Sequence, residues 1–197
     1  MGLEKLLRKT VECSLKREGL QQGCSSLGTG YEGLHLPAAV LLDNIRSMYN
    51  VGAFFRAADG AGVEKLYLGG ITAHPPKKPI SKTALGAEEI VPWEHTWDTL
   101  QIAEKLRGDG FEIAAIEATD QSIDLFEWQP RFPVCVAFGH EVEGLQPDFL
   151  KMADTHVHIP MLGQKRSLNV ATAAGVVFYE LLRKYRDGAA RTRGLLG

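Results

Sequence analysis

The stretch PVCVAFGHEVEGL, residues 133–145, decides how the chain folds. Val134 to Phe138 are consecutive apolar residues, closed by Gly139. A strand with one wet face would alternate polar and apolar positions. This run does not, so it reads as a strand buried on both faces, as in a parallel sheet with helices on either side. The loop that follows carries Glu141 and Glu143 between two glycines. It leaves the carboxyl end of a strand, where open parallel sheets bind ligands. Gly139 there permits close backbone approach.

Working outward, strand and helix patterns alternate on both sides. AAVLLD (38–43), KLYLGG (65–70), FEIAAIEA (111–118) and THVHIP (155–160) read as strands. NVGAFFRAADGAGV (50–63) reads as a helix with Asn50 as N-cap, and TWDTLQIAEKLRGDG (96–110) as an amphipathic helix closed by glycine. HPPKKP is a loop, with a short helical piece over 81–89 and another over 148–153. A long closing helix runs over 167–188, with Ser167 as its N-cap. The order predicts an α/β fold: a mostly parallel sheet with helices on both faces. Leu3, Leu6, Leu7, Val11 and Leu15 form a stripe on an N-terminal helix, so residues 1–30 divide off as helix and linker, 31–188 as the α/β domain, and 189–197 as a flexible tail.

The 197 residues are 45% hydrophobic and 23% charged, with net charge −2, which suits one globular domain and no global basic field. Cys13, Cys24 and Cys135 are odd in number and scattered, which suits free thiols in a reducing cytoplasm. MGLEKLLRKT is too charged for a signal peptide, and no run approaches the roughly 20 apolar residues of a membrane helix. GTGYEG (28–33) matches a dinucleotide-loop pattern but lacks the strand before and helix after it that the chemistry needs. Residues 139–144 are no phosphate loop, because no Gly-Lys-Ser/Thr follows. His156 and His158 share a strand face without a zinc-site partner, so no metal is expected.

Arg56 stands in an apolar, glycine-dotted helix. Val51, Phe54, Phe55, Ala58 and Gly62 face one way; Gly52, Arg56, Asp59 and Gly60 face roughly the other. The bland reading is an Arg56–Asp59 pair on a solvated face. Two flanking glycines instead suggest that another surface comes close. Further on, IPMLGQKRSLNVATAAG (159–175) places Gln164, Lys165 and Arg166 beside a helix start, a suitable anion site. Ala171, Ala174 and Gly175 form a small-residue face on which something packs tightly.

Taken in order, LLDNIRSMYNVGAFFRAADGAGV, VAFGHEVEGL and IPMLGQKRSLNVATAAG resemble the three motifs of the SpoU (TrmH-type) branch of the SPOUT RNA methyltransferases. The resemblance runs from about residue 37 to 186. It implies a C-terminal deep trefoil knot, S-adenosylmethionine as cofactor, a homodimer, and methyl transfer to a ribose 2′-hydroxyl of tRNA or rRNA, with tRNA the leading expectation. By position, Arg56 matches the catalytic arginine, Asn50 and Glu141 the motif 1 and 2 residues, and Ser167 and Asn169 the motif 3 pair. The cofactor is expected against Ala118, Gly139, Ile159, Met161 and Leu168. His140 stands where the family often has asparagine, and Ala171 where it often has serine. RNA contacts are expected from Arg46, Lys77, Lys78, Lys82, Lys165 and Arg166, with Lys5, Arg8, Lys9, Lys16 and Arg17 on the first helix. An arginine does not readily give up its proton, so Arg56 is expected to stabilise charge, with an RNA phosphate as proton acceptor. The competing expectations are a knotted RNA-binding protein without turnover, and a methyltransferase for a small molecule or protein.

Overall fold

The computed structural model describes residues 35–194, with side chains as far as Ala189. The expected N-terminal helix and linker, with their lysines and arginines, lie outside the described residues. The compact unit that holds the sheet begins at His35.

Seven strands make one sheet among the described residues: β1 (Leu36–Asp43), β2 (Val63–Gly69), β3 (Trp93–Thr96), β4 (Glu112–Ile116), β5 (Ile123–Asp124), β6 (Val134–Phe138) and β7 (Thr155–His158). Their order is β3-β2-β1-β6-β4-β7-β5, and every pairing is parallel. β6 pairs with β1 through Val136 opposite Val40 and with β4 through Val136 opposite Ala114. Its five residues are all buried, as their unbroken apolar character requires. Burial also pushes the Cys135 thiol up to about 12, so this cysteine is an inert packing residue.

The helices are α1 (Met48–Ala61), α2 (Lys78–Ala84), α3 (Ala87–Ile90), α4 (Thr99–Gly108), α5 (Pro147–Met152) and α6 (Val170–Gly194). Alternate residues of β1 sort them onto two faces. Ala38, Val40 and Leu42 pack in one core with Phe54 and Phe55 of α1 and Phe178 of α6. Ala39 and Leu41 pack in the other with Ile102 and Leu106 of α4 and Phe149 of α5. Phe54, Phe138 and Phe178 meet edge to face at 5.1, 6.2 and 6.0 Å, and each contributes roughly 1.5–3 kcal/mol by burial.

Several boundaries differ from the expected ones. Ser47, not Asn50, caps α1: its hydroxyl accepts from the Asn50 amide at 3.3 Å, so the helix starts at Met48. Asn169, not Ser167, caps α6, accepting from the amides of Ala171 (3.0 Å) and Thr172 (3.4 Å). α6 continues to Gly194, so the expected tail is helical as far as it is described. The piece expected at 81–89 is two helices, α2 and α3, separated at Leu85 and Gly86, both at positive φ. β3 and β5 were not expected. Gly52 is buried rather than on the Arg56 face, and a side chain there would run into the Ile80 carbonyl and Thr83 of α2. The close approach inferred from the glycines is therefore real at Gly52. It recurs at Gly60, where a Cβ would stand 2.9 Å from the Tyr179 hydroxyl. No helix among the described residues is long and apolar enough to cross a membrane.

Candidate active site

The carboxyl ends of β4, β6 and β7 open into a cavity of about 500 Å³. Its walls come from three loops: Glu117 and Ala118 after β4, Gly139 to Gly144 after β6, and the stretch from His158 to Asn169 after β7. Phe138 reaches the floor from the aromatic core. Ala118, Gly139, Ile159, Met161 and Leu168, the five positions matched to cofactor contacts, all line this one cavity.

The β6 loop is tightly closed. His140 and Gly144 exchange backbone hydrogen bonds at 3.1 and 2.9 Å, and Gly144 adopts φ +72°. Gly139 makes this closure fit: a Cβ there would lie 2.5 Å from the Gly144 carbonyl oxygen. The His140 Nδ1 accepts from the amides of Val142 (3.2 Å) and Glu143 (3.1 Å). An asparagine carbonyl could accept in the same way, so the departure at His140 preserves the loop's acceptor. Ala171 sits half-buried in the first turn of α6 and donates its amide to Asn169.

Glu141 joins the loop to α1. Its carboxylate accepts from the Arg46 amide (3.1 Å), the Ser47 amide (3.2 Å) and the Asn50 side-chain amide (3.2 Å). Partial burial pushes this carboxyl up, but the hydrogen bonds from Arg46, its own backbone, Ser47 and Asn50 outweigh that and hold it below the ordinary glutamate value. The position also suits a negative charge, because it faces the amino end of α1. Asn50 in turn accepts from the Asn169 side chain at 3.3 Å. Three residues from distant parts of the chain thus form one line, Glu141–Asn50–Asn169, along the mouth of the cavity. Ser167 lines the same cavity.

Arg56 does not. It is exposed, six residues beyond Asn50, and makes no ion pair or hydrogen bond among the described residues, so the bland alternative of a pair with Asp59 is not what the structure shows. Six helical residues advance it about 9 Å and turn it onto another face. There it borders a separate depression with Ala53, Ala57, Lys82, Thr83 and Tyr179. Of the other expected RNA contacts, Arg46 is exposed beside His140 and Glu143, and Lys165 and Arg166 are exposed on the β7 loop. Lys77 and Lys78 are exposed at the start of α2. A Cβ at Gly175 would meet nothing within 4 Å, so no tight packing falls on that residue within one copy.

Glu117 was missed by sequence reasoning. It lines the cavity and accepts from the Leu145 amide at 3.2 Å, so it braces the β6 loop from β4. Its only signal was an acid at the end of an apolar strand. His156 spends its ring nitrogens on Thr119 (2.8 Å) and the Leu150 carbonyl (2.8 Å). No group of three or more His, Cys, Asp and Glu among the described residues is placed to hold a metal ion.

Residues 37–179 match the SpoU rRNA methylase family. The tRNA (guanosine(18)-2′-O)-methyltransferase of Aquifex aeolicus is 30% identical over 155 residues, 78% of this chain and 72% of that one. The 23S rRNA (guanosine-2′-O-)-methyltransferase RlmB of Shewanella oneidensis is 32% identical over 157 residues, 77% of this chain and 61% of that one. The AdoMet-bound rRNA methyltransferase from Sinorhizobium meliloti superposes with a TM-score of 0.70 at 27% identity, covering 76% of this chain and 58% of that one. The class so defined is the S-adenosylmethionine-dependent RNA methyltransferases. The chain belongs to the SpoU rRNA methylase family.

The cavity suits that cofactor on its own chemistry. Ile116, Ile159, Met161 and Leu168 offer an apolar wall for an adenine face, and the carboxylates of Glu117 and Glu141 stand at a rim that would receive a cation.

Proposed function

We propose that this chain methylates a ribose 2′-hydroxyl of tRNA, as a homodimer, in the cytoplasm. The observation that carries the reading is the Glu141–Asn50–Asn169 line at the mouth of a cavity lined by all five positions matched to cofactor contacts. S-adenosylmethionine supplies an activated methyl group on a sulfonium sulfur. The chain's part is to hold that group and align the hydroxyl with it. The backbone and apolar wall of the β6 and β7 loops bind; Glu141 and Asn50 keep the β6 loop in register with α1; Ser167 and Asn169 present polar groups where the ribose would arrive.

Arg56 acts on the attacking oxygen. A guanidinium keeps its proton, so it stabilises the developing alkoxide or the neighbouring phosphate, and the phosphate takes the proton. It faces away from its own cavity, so a second copy would supply it. Support for that second copy comes from exposed apolar side chains on α1, the β6 and β7 loops and beside Arg56: Met48, Tyr49, Val142, Leu162 and Tyr179 are each more than a third in water in the single chain. The family's C-terminal trefoil knot belongs to the same reading; the return of β7 to the far side of β4 and the lie of residues 158–169 against the β6 loop support it. Arg46, Lys82, Lys165 and Arg166 would take phosphates.

The test is transfer of labelled methyl from S-adenosylmethionine to unfractionated tRNA and, separately, rRNA, with Arg56→Ala alongside. The expected result is 2′-O-methylnucleoside in the tRNA digest, lost in the variant while cofactor binding persists. Signal in rRNA alone would move the substrate there. Cofactor binding without transfer to either would leave a small-molecule or protein acceptor, and no cofactor binding would leave an RNA-binding scaffold.

A further inference from the structure

At the other side of the sheet, four rings form a row that the site above does not use. Trp93, His95 and Trp97 recur at every second position along and just past the edge strand β3, so they share a face. His74, from the loop after β2, stacks on Trp93 with centroids 5.7 Å apart and planes at 20°. It also lies 5.1 Å from His95, which meets Trp97 edge-on at 4.9 Å. Two ring nitrogens fix the row to the backbone: His95 Nε2 to the Gly70 carbonyl at 3.0 Å, and His74 Nδ1 to the Pro75 carbonyl at 2.8 Å. The row rises from half-buried Trp93 to Trp97, whose residue surface is 80% exposed.

The surroundings are basic where it matters. The loop bearing His74 continues into Lys77 and Lys78, both exposed and without an ion pair among the described residues. Of the acids flanking the row on its own strand and the turn after it, Glu94 pairs with Lys65 at 2.7 Å, and Asp98 caps α4 by accepting from the Gln101 amide. The row also lies at the same edge of the sheet as the cavity rim. All strands are parallel, so Trp97 leaves the sheet at the same edge as the β6 loop. Three strand spacings, about 15 Å, separate β3 from β6. The interval is bridged by Ile71, whose amide donates to Asn44 at 3.1 Å, and by a depression that Ile71 and Asn44 share with Arg46 and His140.

We propose that this row is a stacking platform for an unpaired nucleobase of the RNA substrate, with Trp97 as the open face and Lys77 and Lys78 on the adjoining phosphates. Every base has a π face, so stacking on fixed rings holds an RNA without reading its sequence. The adjacent cations and the shared edge of the sheet favour RNA over a protein partner. The inference rests on the RNA-methyltransferase reading.

The experiment titrates the full chain with unfractionated tRNA and with a short unpaired oligoribonucleotide, following indole emission and, for tRNA, methyl transfer. Both RNAs are expected to quench emission saturably. Trp97→Ala should lose most of that quench and weaken binding roughly 5- to 100-fold, raising KM for tRNA alike with little change in kcat or cofactor affinity. Trp97→Phe, which keeps a flat face, should recover most of the affinity. Wild-type affinity in Trp97→Ala overturns the platform, and so does a Trp97→Ala chain that falls apart into smaller oligomers, which would make the row a contact between copies. Transfer to tRNA that is indifferent to Trp97 sinks the platform alone. Binding through Trp97 without methyl transfer to tRNA or, assayed alongside, to rRNA sinks the RNA-methyltransferase reading alone.

Discussion

Gly139→Ala gives the sharpest test of how the cavity is built. An added Cβ at this position would stand 2.5 Å from the Gly144 carbonyl oxygen and nearer still to the Gly144 carbonyl carbon and the Leu145 nitrogen, whereas ordinary contact begins at 3.4 Å. The loop must therefore retreat by more than 0.9 Å, the difference of 3.4 and 2.5, to restore ordinary contact, because the nearer atoms demand more than the carbonyl oxygen does. Retreat is resisted, because the obstructing atoms are backbone and Leu145 is tied to Glu117. Forcing an extra methyl into such a fit costs about 1–3 kcal/mol, and a shift of about 1 Å in a positioning loop costs on the order of 100-fold in function. Gly163→Ala is the matched control, on the facing loop, where a Cβ would meet nothing within 4 Å. Titration calorimetry with S-adenosylmethionine and thermal unfolding, run on both variants, separates site from fold. The expected result is a Kd raised by roughly tenfold or more in Gly139→Ala with a modest fall in Tm, and a Kd within about twofold of wild type in Gly163→Ala. Unchanged cofactor affinity in Gly139→Ala would refute the claim that this glycine's close approach shapes the binding cavity.

The carboxylate of Glu141 sits below the ordinary glutamate value when folded, so its contribution is complete above about pH 4.3, the unfolded value, and drains away as pH falls through the lower folded one. Glu141→Gln should cost about 1 kcal/mol near neutrality, a figure reduced for solvent exposure, and the gap to wild type should close in acid; urea unfolding across pH 3–7 measures it. His140→Leu removes the acceptor of two amides and should weaken cofactor binding, whereas His140→Asn should retain it, both read by calorimetry. The Lys184 ammonium, with only 6% of its side chain exposed, donates to the carbonyls of Leu125, Phe126 and Trp128 and tethers α6 to the turn after β5. Lys184→Met should lower unfolding stability by about 2–4 kcal/mol and leave cofactor affinity alone.

What could be read from the sequence was what local pattern or motif spacing determines. β6 announces itself because five apolar residues in a row have one sensible home. α1 was legible in extent but not in cap, because Ser47 and Asn50 are both good caps and only the fold shows that Asn50 is spent on Glu141. β3 was illegible because three of its four residues are polar and its strand state comes from pairing with β2. β5, at two residues, exists only through β7. The same division runs through the site. Asn50, Glu141 and Asn169 were reachable only through the order of three motifs, since no local property says that residues 91 and 119 positions apart share hydrogen bonds. Glu117 belongs to no such motif. Its partner Leu145 lies 28 residues on, and long-range bracing leaves no local trace.

The separation of Arg56 from the cavity leads to a test that distinguishes a shared site from a self-contained one. Asn50 and Arg56 lie on one helix, about 9 Å and a large part of a turn apart, and only Asn50 is hydrogen-bonded to residues lining the cavity. In a twofold dimer the same surface patch meets itself, which lets each copy lend Arg56 to the other's cavity. Mixing Arg56→Ala with Gly139→Ala then pairs a copy holding a sound cavity with a copy holding a sound arginine. Random reassortment makes half the dimers mixed, each with one competent site of two, so about a quarter of wild-type activity should appear from two variants that are each inactive at a cofactor concentration far below the raised Kd of Gly139→Ala. A site using its own Arg56 predicts none, because one copy lacks the arginine and the other the cavity. Methyl transfer to tRNA, measured after the two variants are unfolded together and refolded, decides between them. Recovery near a quarter establishes the shared site, and its absence from dimers shown to be mixed would place Arg56 outside the partner's reaction.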